Sequence, residues 1–179
     1  MSKLISTMLA GAAAAIVVAI VGLAGVWWTG GYNVAADEAH SRPVASALTS
    51  MRERSISARA QGIPVPDLDA PQMVAAGAKQ YAQMCVQCHL APGKDDSDLR
   101  KGLNPQPPNL YSHGVHDPAR AFWAIKHGVK MTGMPAWGRT HDDQTLWSMV
   151  AFLQRMPKLS PAEFEQLARQ SPSTHQEAQ

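Results

Sequence analysis

The sequence predicts an all-α protein in which a membrane-spanning helix and a helical, proline-rich stalk precede one small domain. Residues 4–28 carry no charge, prolines recur between residues 63 and 71, and apolar residues after position 69 recur at helical spacing without strand-like alternation. The predicted parts are a cytoplasmic N-terminus at 1–3, a transmembrane helix at 4–28, a stalk or linker at 29–68, the folded domain at 69–157, and a short helix with a disordered tail at 158–179.

The charge balance excludes one broad class of function. Lys and Arg number 16 and Asp and Glu 14, which gives a net charge of +2. Binding to nucleic acid through bulk positive charge requires a much larger excess, so we expect no nucleic-acid partner. Two cysteines are also too few for a disulfide-stabilised scaffold.

The uncharged run at residues 4–28 is long enough to cross a bilayer and to contact lipid. Trp27, Trp28 and Tyr32 lie at its far end, where aromatic rings favour the headgroup zone. Lys3 is the only charged side chain before the run, which favours a cytoplasmic N-terminus. The expected location is therefore the inner membrane of a bacterium, crossed once, with the rest of the chain in the periplasm.

Two features of this region leave alternatives open. Residues 34–36 resemble a cleavage site, so a removed signal peptide competes with an anchor, although the apolar run is longer than a typical signal core. One helical face carries only small residues, which permits a transmembrane helix partner but also follows from simple alanine richness. This small-residue face consists of Gly11, Ala15, Ala19 and Gly22.

A second helix is predicted at residues 43–60, with Ser41 as its cap, Pro43 in its first turn and Gly62 beyond its end. Its apolar stripe is thin. We therefore expect a solvated stalk, with a surface helix on the next domain or a contact with a partner subunit as alternatives. The alternating prolines that follow favour extended chain and mark the predicted domain boundary.

The domain and its C-terminal extension are predicted to contain four helices. Thr140 and Asp143 resemble the capping box of the third helix, and Ser160 begins the last one. Residues 90–116 are predicted to be loop because proline and glycine are frequent there, and the polar residues 171–179 have no reason to fold. The predicted helices cover residues 71–84, 117–128, about 140–155, and a short stretch from 160 onward.

The segment Cys85-Val86-Gln87-Cys88-His89 carries the chemistry of the domain. Two thiols at positions i and i+3 lie on one side of a helical turn, and the following histidine projects toward the same place. Thiols so placed can add to the two vinyl groups of one haem, while the imidazole reaches the iron. The pattern C-x-x-C-H is the attachment signature of haem c for this reason.

Two other readings of the cysteine pair are weaker. A zinc site needs four ligands, and the chain has no second cysteine pair. A thioredoxin-like redox pair is expected near a βαβ pattern, and no strand pattern is present. The sequence therefore favours one covalent haem c.

A six-coordinate iron requires a second axial ligand, because His89 fills only one position. Met134 is the predicted ligand, since the glycine before it and the proline after it make a turn that can hold its thioether on a rigid loop. Met131 and His127 are the alternative ligands. The competing interpretation is that Met134 only fills a gap in the core, as most methionines do.

The predicted domain resembles the class I c-type cytochromes over most of its length. Gly77, Tyr81 and Cys85 fall at that family's spacing of small residue, aromatic residue and first cysteine. Phe152 resembles the aromatic residue of the family's C-terminal helix. Met134 and the proline after it match the Met-Pro pair of the family's distal loop.

The resemblance implies a fold around one haem, in which two helices cross where Gly77 lets their backbones touch. It implies that the carbonyl of Pro108 accepts the ring N–H of the proximal histidine. Leu110, in the same loop, is expected to pack against the haem. Trp123 and Trp137 are expected either to fill the core or to donate a hydrogen bond to a haem propionate.

Iron with two protein ligands has no open site, so the sequence predicts an electron-transfer protein and not an enzyme. The leading hypothesis is a membrane-tethered, periplasm-facing monohaem cytochrome that passes electrons from a dehydrogenase or cytochrome complex to an oxidase or reductase. The first alternative is a haem subunit of a larger membrane dehydrogenase or terminal oxidase complex. The second is an enzyme or gas sensor, which requires iron that Met134 leaves.

Overall fold

The computed structural model describes residues 2–169 and divides the chain into two units, one up to Glu38 and one from Ala39 onward. The predicted disordered tail at residues 171–179 lies outside the described residues. The described part of the chain is helical and contains no strand, which confirms the all-α prediction.

The first unit is dominated by helix α1, Ser2–Thr29. Its segment Lys3–Thr29 is long and apolar enough to cross a membrane, and none of it is buried within the protein. Trp27 and Trp28 are more than four-fifths exposed. An apolar helix without protein cover is the arrangement expected of a segment whose surroundings are lipid, although a signal sequence has the same properties.

The second unit consists of eight α-helices within the described residues, joined by loops and two short 3₁₀ turns. Its core lies where α3 crosses α8, with α7 and α9 packed alongside. The helices are α2 Arg42–Ala60, α3 Pro71–Met84, α4 Val86–His89, α5 Asp98–Lys101, α6 Leu110–His113, α7 Pro118–His127, α8 Asp143–Arg155 and α9 Pro161–Arg169.

Helix α2 differs from the solvated stalk that the sequence predicts. Ile56 and Ala60, one helical turn apart, are buried against the rest of the unit, and α2 packs on α7. Glu53 forms an ion pair with Arg120 of α7. These contacts place residues 42–60 in the folded unit even though the apolar stripe of α2 is thin.

The crossing of α3 and α8 depends on Gly77. A Cβ atom at this position would lie 1.9 Å from the carbonyl oxygen of Ser148 and 2.9 Å from the Cβ of Phe152. Only a residue without a side chain permits this approach of two backbones. The close contact predicted at Gly77 is therefore present, and Tyr81 packs on Phe152 one turn further along, with ring centroids 5.2 Å apart.

The caps of the later helices follow the predictions in part. Asp117 caps α7 by accepting a hydrogen bond from the N–H of Arg120. Helix α8 is capped by Asp142, which accepts from the N–H of Thr145, and not by Thr140, because the helix begins later than predicted. The predicted loop at residues 90–116 contains the short helices α5 and α6.

The predicted end of the domain at residue 157 is too early. Ser160 and Glu163 form the capping box of α9, since each side chain bonds the backbone N–H of the other residue. Phe164 is buried, its ring centroid lies 6.0 Å from that of Phe152, and α9 packs on α3. Burial of this aromatic ring makes α9 part of the core.

Candidate functional site

The segment from Cys85 to His89 is held in a single turn after α3. The N–H of Cys85 bonds the carbonyl of Tyr81 at 2.9 Å, and the N–H of His89 bonds the carbonyl of Cys85 at 2.8 Å. This continuous turn directs Cys85, Cys88 and His89 to the same cavity. Both cysteines are partly buried free thiols, and burial together with the neighbouring Cys88 raises the pKa of Cys85 to about 12.

The orientation of the His89 ring is fixed by one hydrogen bond. Its Nδ1 lies 3.0 Å from the carbonyl oxygen of Pro108. Because a carbonyl only accepts, Nδ1 must carry the proton, which leaves the lone pair on Nε2 free to bind a metal. Burial lowers the pKa of His89, and Arg100 lowers it further, while the bond to Pro108 opposes both effects. These influences together favour the neutral imidazole that a metal ligand requires.

Tyr81 braces the turn from inside the core. Its hydroxyl donates a 2.6 Å hydrogen bond to the carbonyl of Leu90, the residue directly after His89. Leu90 has a φ of +61°, a conformation that non-glycine residues adopt only when neighbouring contacts hold it. Burial raises the pKa of Tyr81, so the hydroxyl stays protonated and continues to donate.

Replacing Tyr81 with phenylalanine is expected to lower the free energy of unfolding by about 1–3 kcal/mol, because the partly buried carbonyl of Leu90 loses its partner. Denaturant titration of the parent and variant measures this difference. Tyr111→Phe is the matched control, since the same hydroxyl is removed from a partly exposed side chain in α6. Equal stability of Tyr81→Phe and parent would show that the hydrogen bond does not support the turn.

A second loop places Met134 on the cavity. The N–H of Val129 bonds the carbonyl of Met134 at 3.2 Å. The hydroxyl of Thr132 donates to the carbonyl of Val129 at 2.7 Å and accepts from the N–H of Met134 at 3.1 Å. Gly128, with a φ of +64°, closes against this loop, where a Cβ would lie 2.7 Å from the carbonyl oxygen of Met134. The loop is therefore held by its own backbone and by one hydroxyl.

The other two candidate ligands face away from the cavity. Met131 is 87% exposed and, with a φ of +59°, sits at the outer tip of the loop. His127 is exposed, and its ring lies against Trp123, 4.9 Å between centroids. Neither residue lines the cavity, whereas Met134 does.

The cavity between these loops has a volume of about 580 Å³ and a largely apolar wall. His89 and Met134 come from different loops and both face it, as do the two cysteines. The predicted site residues that line the cavity are Cys85, Cys88, His89, Pro108, Leu110, Met134 and Trp137.

Comparison with known proteins agrees with this geometry. A family model described as "Cytochrome C oxidase, cbb3-type, subunit III" matches residues 72–153, the segment that contains both loops and the crossing helices. This segment is a c-type cytochrome domain.

The remaining comparisons add little. The reducing HAO-like protein complex of Kuenenia stuttgartiensis contains a chain with a TM-score of 0.40 and 20% identity, and the alignment covers 50% of this chain and 48% of that one. This chain thus spans about half the length of that structural relative. No curated protein matches the chain.

The residues of the cytochrome domain fit a covalently bound haem. Two thiols, an imidazole with a free Nε2 and a thioether converge on one apolar cavity, which is the donor set that such a cofactor uses. Among residues 2–169, no group of three or more His, Cys, Asp and Glu residues could hold a bare metal ion. Within this part of the chain, Cys85 and Cys88 therefore have no further ligands with which to form a zinc site.

Trp123 corrects one prediction, because it does not line the cavity of the cytochrome domain. Helix α7 presents Ala121, Ala124 and Ile125 to the cavity, at i, i+3 and i+4 spacing. Trp123 lies on a different face and packs on His127 instead. A haem contact of Trp123 is therefore not supported.

Several residues of the site were not predicted from the sequence. Thr132 holds the loop that carries Met134. Arg100 holds the loop that carries Pro107 and Pro108 by donating to both Asp96 oxygens and to the carbonyl of Pro107, each at 2.9 Å. Four residues of α2 line the cavity although they precede the cytochrome domain. Ile56 and Ala60 are the buried residues of α2, but an i, i+4 apolar pair also occurs on solvated helices, so the sequence held no clear signal that α2 is docked.

Proposed function

We propose that this chain is a membrane-tethered monohaem cytochrome c that carries one electron at a time between periplasmic partners. The observation that carries the proposal is the placement of His89 and Met134 on one cavity from two separate, well-held loops. A haem bound there supplies one-electron exchange between ferric and ferrous iron.

The surrounding residues support electron transfer and not bond-making chemistry. Met134 would bind the iron of a haem held in this cavity and leave no position open to a substrate or oxygen, and its loop is held by three hydrogen bonds. The neutral thioether and the apolar wall, which includes Leu110 and Ile125, disfavour the extra positive charge of the ferric form. This environment favours reduction.

Removing both attachment thiols tests the covalent haem. The double variant Cys85→Ala and Cys88→Ala, produced in a host equipped for cytochrome maturation, is expected to release all its pigment into acidified acetone, whereas the parent retains its pigment. Absorbance of the protein pellet measures the retained fraction. A parent protein that is colourless, or that loses its pigment to the solvent, would refute the proposal.

Helix α1 is the proposed tether. Its length and exposed apolar surface suit a single membrane crossing, and a tether raises the effective concentration of a carrier near its partners. The full chain is then expected to stay in the membrane fraction after a carbonate wash, with α1 still present in the mature protein. A mature N-terminus near residue 37 would identify α1 as a cleaved signal.

A second candidate function is supported by the family description, which names a subunit of a terminal oxidase. In that case the chain is the haem c subunit of a larger membrane complex. Extraction of native membranes in mild detergent followed by size separation distinguishes the two. A pigment that migrates as a single small protein supports the carrier, and one that migrates with a large assembly supports the subunit.

Partner docking is expected to depend on Lys130. Three other lysines near the site are engaged in ion pairs: Lys94 with Glu165 at 2.6 Å, Lys101 with Asp98 at 3.5 Å and Lys126 with Asp143 at 2.6 Å. Lys130 is exposed beside the distal loop and belongs to no ion pair among the described residues. Its charge therefore remains available to attract an anion.

Lys130→Glu is expected to slow oxidation of the reduced protein by ferricyanide several-fold at low ionic strength and to flatten the dependence on salt, because the local field at the loop reverses. Stopped-flow absorbance measures the rate. Lys158→Glu, at an exposed position after α8, produces the same change in net charge and serves as the control. Equal slowing in both variants would show that only net charge matters.

A further inference from the structure

Helix α2 forms part of the cavity wall although it lies outside the cytochrome domain. Thr49, Arg52, Glu53 and Ile56 line the cavity, whereas the family match begins at residue 72. The helix is docked by the burial of Ile56 and by the ion pair of Glu53 with Arg120 of α7. This wall is thus an addition that the chain makes to the domain.

The charge on this wall is not balanced. Glu53 accepts from the guanidinium of Arg52 at 3.0 Å and also pairs with Arg120. Two guanidinium groups therefore share one carboxylate, so Arg52, Glu53 and Arg120 together carry one net positive charge. Among residues 2–169 that line the cavity, Arg52 and Glu53 are the only Asp, Glu, Lys or Arg side chains, and the Arg52 side chain is 34% exposed.

Arg100, a further guanidinium beside the loop of Pro107, is already hydrogen-bonded to other groups. It bonds both carboxylate oxygens of Asp96 and the carbonyl of Pro107, and it is not a lining residue. Its Nε is buried without a hydrogen-bond partner, but the group holds the proximal loop from behind. Of Arg52, Arg100 and Arg120, only Arg52 lines the cavity, so its guanidinium is the one placed to meet an anion there.

We propose that Arg52 pairs with a propionate of the haem, so that α2 is a haem-binding element and closes one edge of the cavity. This inference rests on the proposed function. A haem carries two propionates, and an ionised carboxylate at a half-buried edge requires a cation and hydrogen-bond donors. Arg52 supplies both, and Thr49, one turn earlier on the same helix, adds a hydroxyl on the same wall.

If Arg52 pairs with a propionate, substitutions at Arg52 and Glu53 are expected to shift the reduction potential in opposite directions. Arg52→Gln removes a positive charge near the iron, which favours the ferric form and lowers the reduction potential. Glu53→Gln removes a negative charge from the same wall and raises the potential. Arg54→Gln is the control, because Arg54 is exposed on the same helix and does not line the cavity. Spectroelectrochemical titration of the full-length holoprotein measures all three potentials.

A purely structural role for α2 predicts a different pattern. If both substitutions only detach the helix, water enters the cavity and both variants shift to lower potential. Arg52→Lys, which keeps the charge, is expected to recover most of the shift of Arg52→Gln. The propionate bending band in the resonance Raman spectrum is expected to move in Arg52→Gln and to stay in place in Arg54→Gln.

Shifts of the same sign in Arg52→Gln and Glu53→Gln, or an unchanged Raman band in Arg52→Gln, would overturn the assignment of Arg52. The haem content of every variant is measured first by the pyridine haemochrome spectrum. Absence of covalent haem from the parent protein would refute the proposed function itself, and this outcome is distinct from haem-containing variants that show the wrong signs.

Discussion

Replacing Met134 with alanine is expected to lower the reduction potential of the holoprotein strongly and to abolish the weak sulfur-to-iron absorption band of its oxidised form. Loss of the thioether removes the ligand that favours ferrous iron. The axial ligands of haem proteins set the reduction potential over a range of about 0.8 V. We expect a shift on the order of 0.1 V or more. Potentiometric titration and the near-infrared edge of the absorption spectrum measure the two effects.

Met131→Ala is the matched control for this experiment. It removes the same side chain from the same loop, but Met131 is 87% exposed and does not line the cavity, so potential and spectrum should stay as in the parent. If Met131→Ala abolishes the absorption band and Met134→Ala does not, the axial ligand has been assigned to the wrong methionine. Carbon monoxide binding by ferrous Met134→Ala, but not by ferrous parent, would further support Met134.

Replacing Gly77 with alanine is expected to lower the free energy of unfolding by about 3 kcal/mol or more. The added Cβ would lie 1.9 Å from the carbonyl oxygen of Ser148 and 2.5 Å from its carbonyl carbon. Both atoms belong to the backbone of α8, so the helices must separate to relieve the clash. Separation would expose the core around Phe152 and loosen α3, which carries the attachment turn.

The sign of the Gly77 effect is itself informative. Alanine in the interior of a helix is intrinsically favoured over glycine by about 1 kcal/mol, so a stabilised variant would contradict the close crossing. Gly102→Ala is the control, because a Cβ there would meet its nearest atom at 3.6 Å, an ordinary contact. Denaturant unfolding of both holoproteins, followed by circular dichroism, gives the comparison.

Local sequence was sufficient for the features that depend on neighbouring residues. The attachment turn, the start and end of α7 and the start of α9 at Ser160 each depend on side chains a few positions apart, and these predictions agree with the structure. The predicted cap of α8 was wrong because three side-chain acceptors, Thr140, Asp142 and Asp143, lie close together. The hydrogen bond to Thr145 selects Asp142 from among them.

The role of α2 was beyond local reasoning. Its apolar stripe is weak, and a helix with Arg52, Arg54 and Arg59 is equally compatible with a solvated stalk. What docks it is the ion pair with Arg120 on another helix and the packing of α2 on α7, neither of which the spacing of residues within α2 reveals. The position of Trp123 away from the cavity was open for a related reason, since the face of α7 that meets the cavity is decided by its neighbours.

The sequence by itself determined the chemistry that this protein can support. Cys85, Cys88 and His89 fall within one helical turn, and their spacing along the chain suits the attachment of a haem c. The tertiary structure decided which methionine faces the cavity, which helices enclose it and that α2 belongs to its wall. These outcomes depend on contacts between residues far apart in the chain, where packing and charge pairing across helices select among conformations that the local sequence leaves equally open.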